Sequence, residues 1–133
     1  MRTTYIVTGA AGHLGGTIVR LLSQAGQEVR ALSLAGETQR ARRGVTWYTV
    51  DFRLPESLRA LFSRLEGGDV YVIHAAGMVD ISGEMSARMR DVNVEGTKNI
   101  IALCREFSVR RLVYVSSVHA IPEREGMGVM REI

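Results

Sequence analysis

A glycine-rich loop between a short strand pattern and a helix pattern constrains the fold of this chain more than any other feature. Residues 4–8 (TYIVT) are typical of a β-strand, and residues 8–15 (TGAAGHLG) follow at once. Apolar residues then recur at helical spacing from His13 to Gln24, and Gly26 favours the end of that helix. The chain is therefore predicted to pass from a strand through a tight turn directly into a helix.

The three spaced glycines of this loop have separate physical roles. Gly9 permits the tight turn, Gly12 lets backbone N–H groups approach a pyrophosphate, and Gly15 lets the helix pack closely on the strand. The positive end of the helix dipole would face the phosphates. We interpret the loop as a dinucleotide-binding site, with a purely structural turn as the alternative. His13 is expected to be a solvent-facing spacer and not a catalytic residue.

The rest of the chain alternates between strand and helix patterns. Further strands are predicted at residues 28–34, 45–50, 69–75 and 111–115, and helices from Pro55 to the glycines at 67–68 and from Met85 to Phe107. The polar, arginine-rich segment 35–44 is predicted to be a loop with at most one helical turn. Because the run 70–73 is continuously apolar, it favours a parallel sheet covered on both faces. We predict a doubly wound sheet in strand order 3-2-1-4-5, with ligand at the carboxyl ends of strands 1 and 4.

Composition excludes several classes of protein. The 133 residues suit one domain, and 46% apolar with 23% charged residues excludes a disordered chain. A net charge of only +3, with few aromatic residues, argues against a nucleic-acid binder. The single cysteine, Cys104, excludes an internal disulfide and a cysteine-based metal cage, and is expected to be a small buried residue. No run approaches the roughly 18 apolar residues of a membrane helix, and no signal peptide precedes the first strand, so a cytoplasmic location is predicted.

Several motifs together resemble a known family. The Gly-x-x-Gly-x-x-Gly spacing is similar to that of the short-chain dehydrogenase/reductase superfamily. Residues 74–77 (HAAG), 93–99 (NVEGTKN) and 114–117 (YVSS) resemble motifs of its extended branch, the NAD(P)-dependent epimerases and dehydratases. The resemblance implies a Rossmann-type, five-stranded NAD(P)-binding domain over residues 1–121, truncated before strand six, with a tail at 122–133.

The resemblance also implies which residues form the site. Ser117 matches the family's catalytic hydroxyl, and no metal is implied. The implied cofactor contacts are Gly9, Ala11, Gly12, His13, Leu14, Gly15, Ser33, Asp51, Phe52, Ala75, Ala76, Gly77 and Asn93.

Each of these motifs also has a simpler, structural interpretation. Asp51 matches the residue that holds the adenine amino group, but it could only cap the turn before Pro55. His74 is expected to be a satisfied core histidine with no role in proton transfer. Asn93 is expected to bond backbone near the site, with a solvated side chain as the alternative, and Ser117 could simply satisfy backbone at a strand end.

The choice between NAD and NADP is open in the sequence. A carboxylate that would bind the ribose diol is missing at Ser33-Leu34, and Glu37 lies three residues too late. Arg40, Arg42 and Arg43 could neutralise a 2′-phosphate. A solvated surface run is the alternative for these arginines, so tolerance of NADP is only weakly favoured.

The family's catalytic Tyr-x-x-x-Lys pair is absent. No tyrosine stands four residues before the single lysine, Lys98. We therefore predict the NAD(P)-binding portion of an oxidoreductase acting on a nucleotide sugar or a secondary alcohol or ketone, inactive alone. The alternative is a stand-alone NAD(P) sensor. Coding sequence downstream that supplies the pair would favour the enzyme, and a natural stop after Ile133 would favour the sensor.

The predicted partners are a nicotinamide dinucleotide and, in the full-length family, a small-molecule substrate. Neither nucleic acid nor membrane is expected. Without a further strand beside it, residues 112–115 would form an exposed apolar edge. Self-association through this edge and the preceding helix is therefore predicted.

Overall fold

The computed structural model describes residues 3–51, 54–62, 65, 68–75 and 94–115. Within these ranges five strands form one sheet, and they are β1 (Thr3–Thr8), β2 (Glu28–Ser33), β3 (Val45–Thr49), β4 (Asp69–His74) and β5 (Arg111–Tyr114). The helices of the same ranges are α1 (His13–Gln24), α2 (Pro55–Arg59), which a 3₁₀ turn at Ala60–Phe62 extends, and α3 (Gly96–Glu106).

The sheet is parallel throughout and has the order β3-β2-β1-β4-β5, which confirms the predicted topology. The chain winds outward from β1 in one direction, then returns to build β4 and β5 on the other side. Thr8 at the end of β1 is in register with His74 at the end of β4. The point where the winding reverses is therefore formed by these two strand ends, beside the glycine loop (residues 9–15).

Side chains from alternate strand positions build a core on each face of the sheet. Ile6 lies on one face and its neighbour Val7 on the other, and both are fully buried. The face under α1 also buries Ala10, Val19, Val29 and Ala31. The face under α2 and α3 buries Leu32, Val50, Leu58, Leu61, Phe62, Val70, Val72, Ile100, Leu103 and Cys104. Burial on both faces explains why the strands read as continuous apolar runs.

The described helices follow the predicted pattern with some differences at their ends. Helix α1 has the predicted bounds, and Gly26 adopts a positive φ of 76° just past its end. Loop 35–44 contains turns but no helical turn. Helix α2 tightens into a 3₁₀ turn, as final helical turns often do. Of the helix predicted from Met85, only the part from Gly96 to Glu106 is described as α-helix, and residues 85–93 lie outside the described residues.

Strand β5 forms one edge of the described sheet, and β3 forms the other. Val113 and Tyr114 are 47% and 56% exposed, in keeping with the predicted apolar edge. Cys104 is buried on α3, and burial raises the pKa of its thiol to about 11. This confirms the expected role of Cys104 as a small core residue. The proposed boundary at residue 121 and the tail 122–133 lie outside the described residues.

Candidate functional site

The glycine loop makes a tight turn between β1 and α1. Gly9 has a φ of +64°, a conformation that a residue with a Cβ rarely adopts, and the N–H of Gly12 donates to the Gly9 carbonyl at 3.0 Å. Helix α1 begins one residue later, at His13. Gly12 provides no side-chain cap, and the first turn contains no acidic residue. The start of α1 therefore presents backbone N–H groups and a partial positive charge, a combination suited to an anion.

Gly15 brings α1 into direct contact with this turn. A Cβ at Gly15 would lie 2.0 Å from the Gly9 carbonyl oxygen and 2.6 Å from its carbon. At Gly12 the corresponding distance to the Gly9 oxygen is 3.3 Å. The close packing predicted for Gly15 is thus visible in the backbone itself, and it sets the position of the helix N-terminus.

The other loop residues named from the sequence lie on or near the surface. Gly12 and His13 are exposed, Leu14 is 49% exposed, and Ala11 is half-buried. This places His13 as the solvent-facing residue that its sequence position indicates. Because Gly12 has no side chain and Ala11 only a methyl group, a ligand at the turn would meet backbone atoms there, with the exposed side chain of His13 next to them.

A pocket of about 380 Å³ lies between the glycine loop, α1 and the loop 35–44 that joins β2 to β3. We call it the arginine pocket, because Arg20, Arg40 and Arg42 line it together with Trp47. No acidic residue is among the described residues that line it. The arginine pocket therefore concentrates positive charge beside the start of α1.

Two of the three arginines named from the sequence line this pocket, and one does not. Arg43 is not among the lining residues, although its carbonyl accepts a 2.7 Å hydrogen bond from Ser23 Oγ. Arg20 was missed by the sequence reasoning. Its signal was the spacing 12, 16, 20, since residues four apart on a helix share one face and Gly12 and Gly16 also line the pocket.

Ser33 is the last residue of β2 and is only 2% exposed, and it is not among the residues that line the arginine pocket. Its hydroxyl accepts a 2.8 Å hydrogen bond from Gln39 Nε2, a residue that the sequence did not single out. The Oε1 atom of Glu37 accepts the backbone N–H of Leu34 at 2.6 Å, which holds this carboxylate against the start of its own loop. The strand end that often carries an acidic ribose ligand is therefore occupied by neutral and backbone groups.

Asp51 follows β3 and is half-buried. Its backbone takes part in the turn before Pro55, since its N–H donates to Ser57 Oγ at 3.0 Å and its carbonyl accepts the Leu54 N–H at 3.0 Å. These backbone bonds hold Asp51 at the carboxyl edge of the sheet. The contact of the Asp51 side chain with adenine stays a prediction.

His74 joins three elements at the point where the winding reverses. Its Nδ1 lies 2.7 Å from Thr8 Oγ1 of β1, and its Nε2 lies 2.9 Å from Thr97 Oγ1 of α3. Tyr114 of β5 packs against the imidazole, with the ring centres 5.7 Å apart. The side chain is 1% exposed, and burial lowers the pKa of His74 to about 4. His74 is thus a neutral, satisfied core histidine, as predicted.

Ala75 follows His74 and is half-buried. The remaining residues assigned to the site from the sequence, Phe52, Ala76, Gly77, Asn93 and Ser117, lie outside the described residues. No helix in the described part of the chain is long and apolar enough to cross a membrane.

Comparisons with known proteins give relatives of two kinds. A family model described as the 3-beta hydroxysteroid dehydrogenase/isomerase family matches residues 6–131. The 3 beta-hydroxysteroid dehydrogenase type 7 of Mus musculus is 34% identical over 126 residues, which cover 88% of this chain and 33% of that protein. The sterol demethylase protein B of Methylococcus capsulatus is 36% identical over 120 residues, which cover 89% of this chain and 35% of that protein.

Among solved structures, the UDP-glucose 4-epimerase of Thermus thermophilus in complex with NAD matches with a TM-score of 0.79 and 29% identity. That match covers 92% of this chain and 41% of the epimerase. The chain therefore spans about a third of the length of the two relatives above and about two fifths of this structure.

Proposed function

The chain belongs to the 3-beta hydroxysteroid dehydrogenase/isomerase family, and from this we propose that it supplies the NAD(P)-binding portion of an oxidoreductase acting on a secondary alcohol or ketone. The observation that carries the proposal is the contact between Gly15 and Gly9, which sets an uncapped helix start against a tight turn. A dinucleotide pyrophosphate fits there, because backbone N–H groups can reach it with no Cβ between them.

The proposed substrate class follows the names of the relatives. The mouse and Methylococcus relatives carry hydroxysteroid and sterol names, and both exceed 30% identity. The epimerase, whose name points to a nucleotide sugar, is 29% identical. We therefore place a secondary alcohol or ketone of sterol type ahead of a nucleotide sugar.

The nicotinamide, when bound, would exchange a hydride with the substrate carbon. The chain's own residues bind and orient: the start of α1 holds the pyrophosphate, and the arginine pocket holds the far end of the dinucleotide. Ser117 is proposed to polarise the substrate oxygen, and Asn93 to bond backbone near it. A cytoplasmic location also stays a prediction.

The arginine pocket favours a phosphorylated adenosine ribose. Arg20, Arg40 and Arg42 line it, and the carboxylate of Glu37 is bonded to the Leu34 backbone. Guanidinium groups match the geometry of a phosphate better than that of a ribose diol. We therefore propose that the chain accepts NADP(H) as well as the NAD that the solved epimerase contains.

Titration of the purified chain with NADH and with NADPH tests the function. We expect both to bind, with NADPH tighter by about tenfold at low ionic strength, because a charged hydrogen bond to phosphate contributes that much. The advantage should shrink as salt screens the arginines. Energy transfer from Trp47, the single tryptophan, to the reduced nicotinamide reports binding. No turnover of the nicotinamide should accompany it, since the chain has no Tyr-x-x-x-Lys pair.

Two arginine variants provide the control for this titration. R42Q should lose most of the NADPH advantage, whereas R43Q, whose side chain is not among those lining the pocket, should keep it. If neither dinucleotide binds, the function is wrong. If both bind equally and R42Q has no effect, the chain still accepts NADP(H), and only the proposed contact between the arginine pocket and the 2′-phosphate is wrong.

A stand-alone NAD(P) sensor is the second candidate, because a dinucleotide could bind at the uncapped start of α1 without any catalytic group. A sensor and an enzyme portion would bind the dinucleotide alike. They differ when a segment or partner chain that carries the pair is supplied, because only the enzyme portion would then acquire turnover.

We also propose that the chain self-associates through the exposed side of β5 and α3. Val113, Tyr114 and, on α3, Ile101 are exposed apolar side chains of this region. Sedimentation velocity should show a dimer at micromolar concentration, and V113K should shift it towards monomer, because a charged edge resists pairing. A wild-type chain that sediments as a monomer over the same concentrations would contradict this.

A further inference from the structure

The loop 35–44 is fixed by side-chain hydrogen bonds along most of its length. Near its start Glu37 Oε1 accepts the N–H of Leu34, and Trp47 Nε1 donates to the Arg40 carbonyl at 2.8 Å. Near its end Ser23 Oγ of α1 donates to the Arg43 carbonyl. The loop therefore has a defined shape although nearly all of its residues are exposed.

Gln39 adds a second tie between this loop and the sheet, beside the bond from Trp47 of β3 to the Arg40 carbonyl. Its Nε2 donates to Ser33 Oγ at 2.8 Å and to Thr49 Oγ1 at 3.1 Å. Ser33 and Thr49 are partners in the register of β2 and β3, and each is the last residue of its strand. One amide group therefore bridges the carboxyl ends of two neighbouring strands.

The position of Gln39 in the chain gives this bridge a consequence for the arginine pocket. Arg40 is the next residue and Arg42 follows two positions later, and both line the pocket opposite Arg20 of α1. A loop that is ordered before binding has little conformational freedom left to lose when the ligand binds. An unpinned loop would have to be ordered by the ligand, at a cost in affinity.

We propose that Gln39 is a specificity-determining positioning residue, which sets the preference for a phosphorylated adenosine ribose by holding Arg40 and Arg42 at the pocket. This proposal rests on the proposed function, since it assumes that a nucleotide binds at the glycine loop. Gln39 acts through the arginines and does not itself touch the phosphate. The binding of the nucleotide's other phosphate groups at the start of α1 should not depend on Gln39.

The test compares Q39L with the wild-type chain, using adenosine 2′,5′-bisphosphate and 5′-AMP as probes. Leucine keeps the size of the side chain and removes its donor. We expect Q39L to weaken the binding of the bisphosphate by about fivefold, the factor of one ordinary hydrogen bond, and the binding of 5′-AMP by less than about twofold. The ratio of the two affinities should therefore fall. T49V, which removes one acceptor and leaves Gln39 in place, should lower this ratio by a smaller factor. Q24L, at an exposed glutamine of α1, is the matched control and should leave the ratio unchanged.

Equal weakening of both probes in Q39L would overturn the proposal, because Gln39 would then support only the general structure of the site. An unchanged ratio in Q39L or T49V would overturn it as well. A readout without ligand separates this failure from failure of the proposed function: Q39L should increase the hydrogen exchange of loop 35–44 and the quenching of Trp47. If the wild-type chain binds neither probe while these changes occur, the nucleotide function is wrong and the loop is still pinned by Gln39. If the changes do not occur, the pinning itself is wrong.

Discussion

Replacing Gly15 with alanine should destabilise the chain by about 3 kcal/mol or more, a loss at the upper end of those caused by overpacking. The added Cβ would lie 2.0 Å from the Gly9 carbonyl oxygen, 2.6 Å from the Gly9 carbon and 3.1 Å from the Ala10 Cα. All three are backbone atoms, so no side chain can rotate to make room. Either α1 must move away from β1 or the turn at Gly9 must open. Chemical denaturation followed by circular dichroism measures the loss.

Gly16 provides a matched control one residue away on the same helix. Its added Cβ would meet the Ala10 carbonyl oxygen at 3.4 Å, an ordinary contact. G16A should therefore be neutral or should stabilise the chain by up to about 1 kcal/mol, since alanine is the better helix former. A G15A chain as stable as wild type, or a G16A chain that loses as much as G15A, would contradict the close packing of α1 on the turn. A G15A chain that does not fold at all would agree with it.

The contrast between these glycines shows which parts of the structure local sequence patterns can predict. The turn at Gly9, the bounds of α1 and the strand order depend on spacing along the chain and on the general handedness of parallel sheets. These predictions were confirmed. The role of Gly15 was predictable for the same reason, because the contact joins residues only six positions apart.

The contacts that sequence reasoning missed join segments that only the tertiary fold brings together. Gln39 reaches Ser33 and Thr49 only because β2 and β3 pair in one register, and nothing in residues 35–44 indicates that register. Arg20 shares a helix face with Gly12 and Gly16, but it lines the arginine pocket only because the loop 35–44 lies near that face. Glu37 was judged by its distance from the glycines, whereas its actual partner is the Leu34 N–H three residues before it. Side chains in a loop can be placed only once the fold is known.

Lowering the pH from 7 towards 4 should reduce the free energy of unfolding by about 3 kcal/mol through His74 alone. In the unfolded chain this histidine has its ordinary pKa of 6.5, and in the folded chain burial lowers the pKa to about 4. Between these values the unfolded chain binds the extra proton and the folded chain does not. The contribution of His74 is therefore fully present above pH 6.5 and is lost as the pH falls towards 4.

The environment of His74 explains why the folded chain resists the proton. The side chain is 1% exposed, with Thr8, Thr97 and the ring of Tyr114 around it. Hydroxyl groups satisfy both ring nitrogens of the neutral form, which has one donor and one acceptor. The Lys98 and Glu95 side chains of the α3 segment pair with each other at 3.5 Å and are largely exposed, so they add little field at the imidazole.

Two histidine variants separate this effect from the protonation of carboxylates, which also lowers the free energy of unfolding in acid. H74N should be less stable than wild type at pH 7, because the shorter amide cannot span from Thr8 to Thr97, and its further loss down to pH 4 should be smaller by about 3 kcal/mol. H13N removes an exposed histidine at the start of α1 and should keep the wild-type loss. Unfolding by urea at several pH values gives the three curves. If H74N and wild type lose the same free energy between pH 7 and 4, His74 is not the buried neutral group that joins β1, β4 and α3. If the free energy of unfolding of H74N falls less steeply with pH, a part of the acid sensitivity originates where His74 joins β1, β4 and α3 beside the glycine loop. Binding at that loop should then weaken over the same pH range.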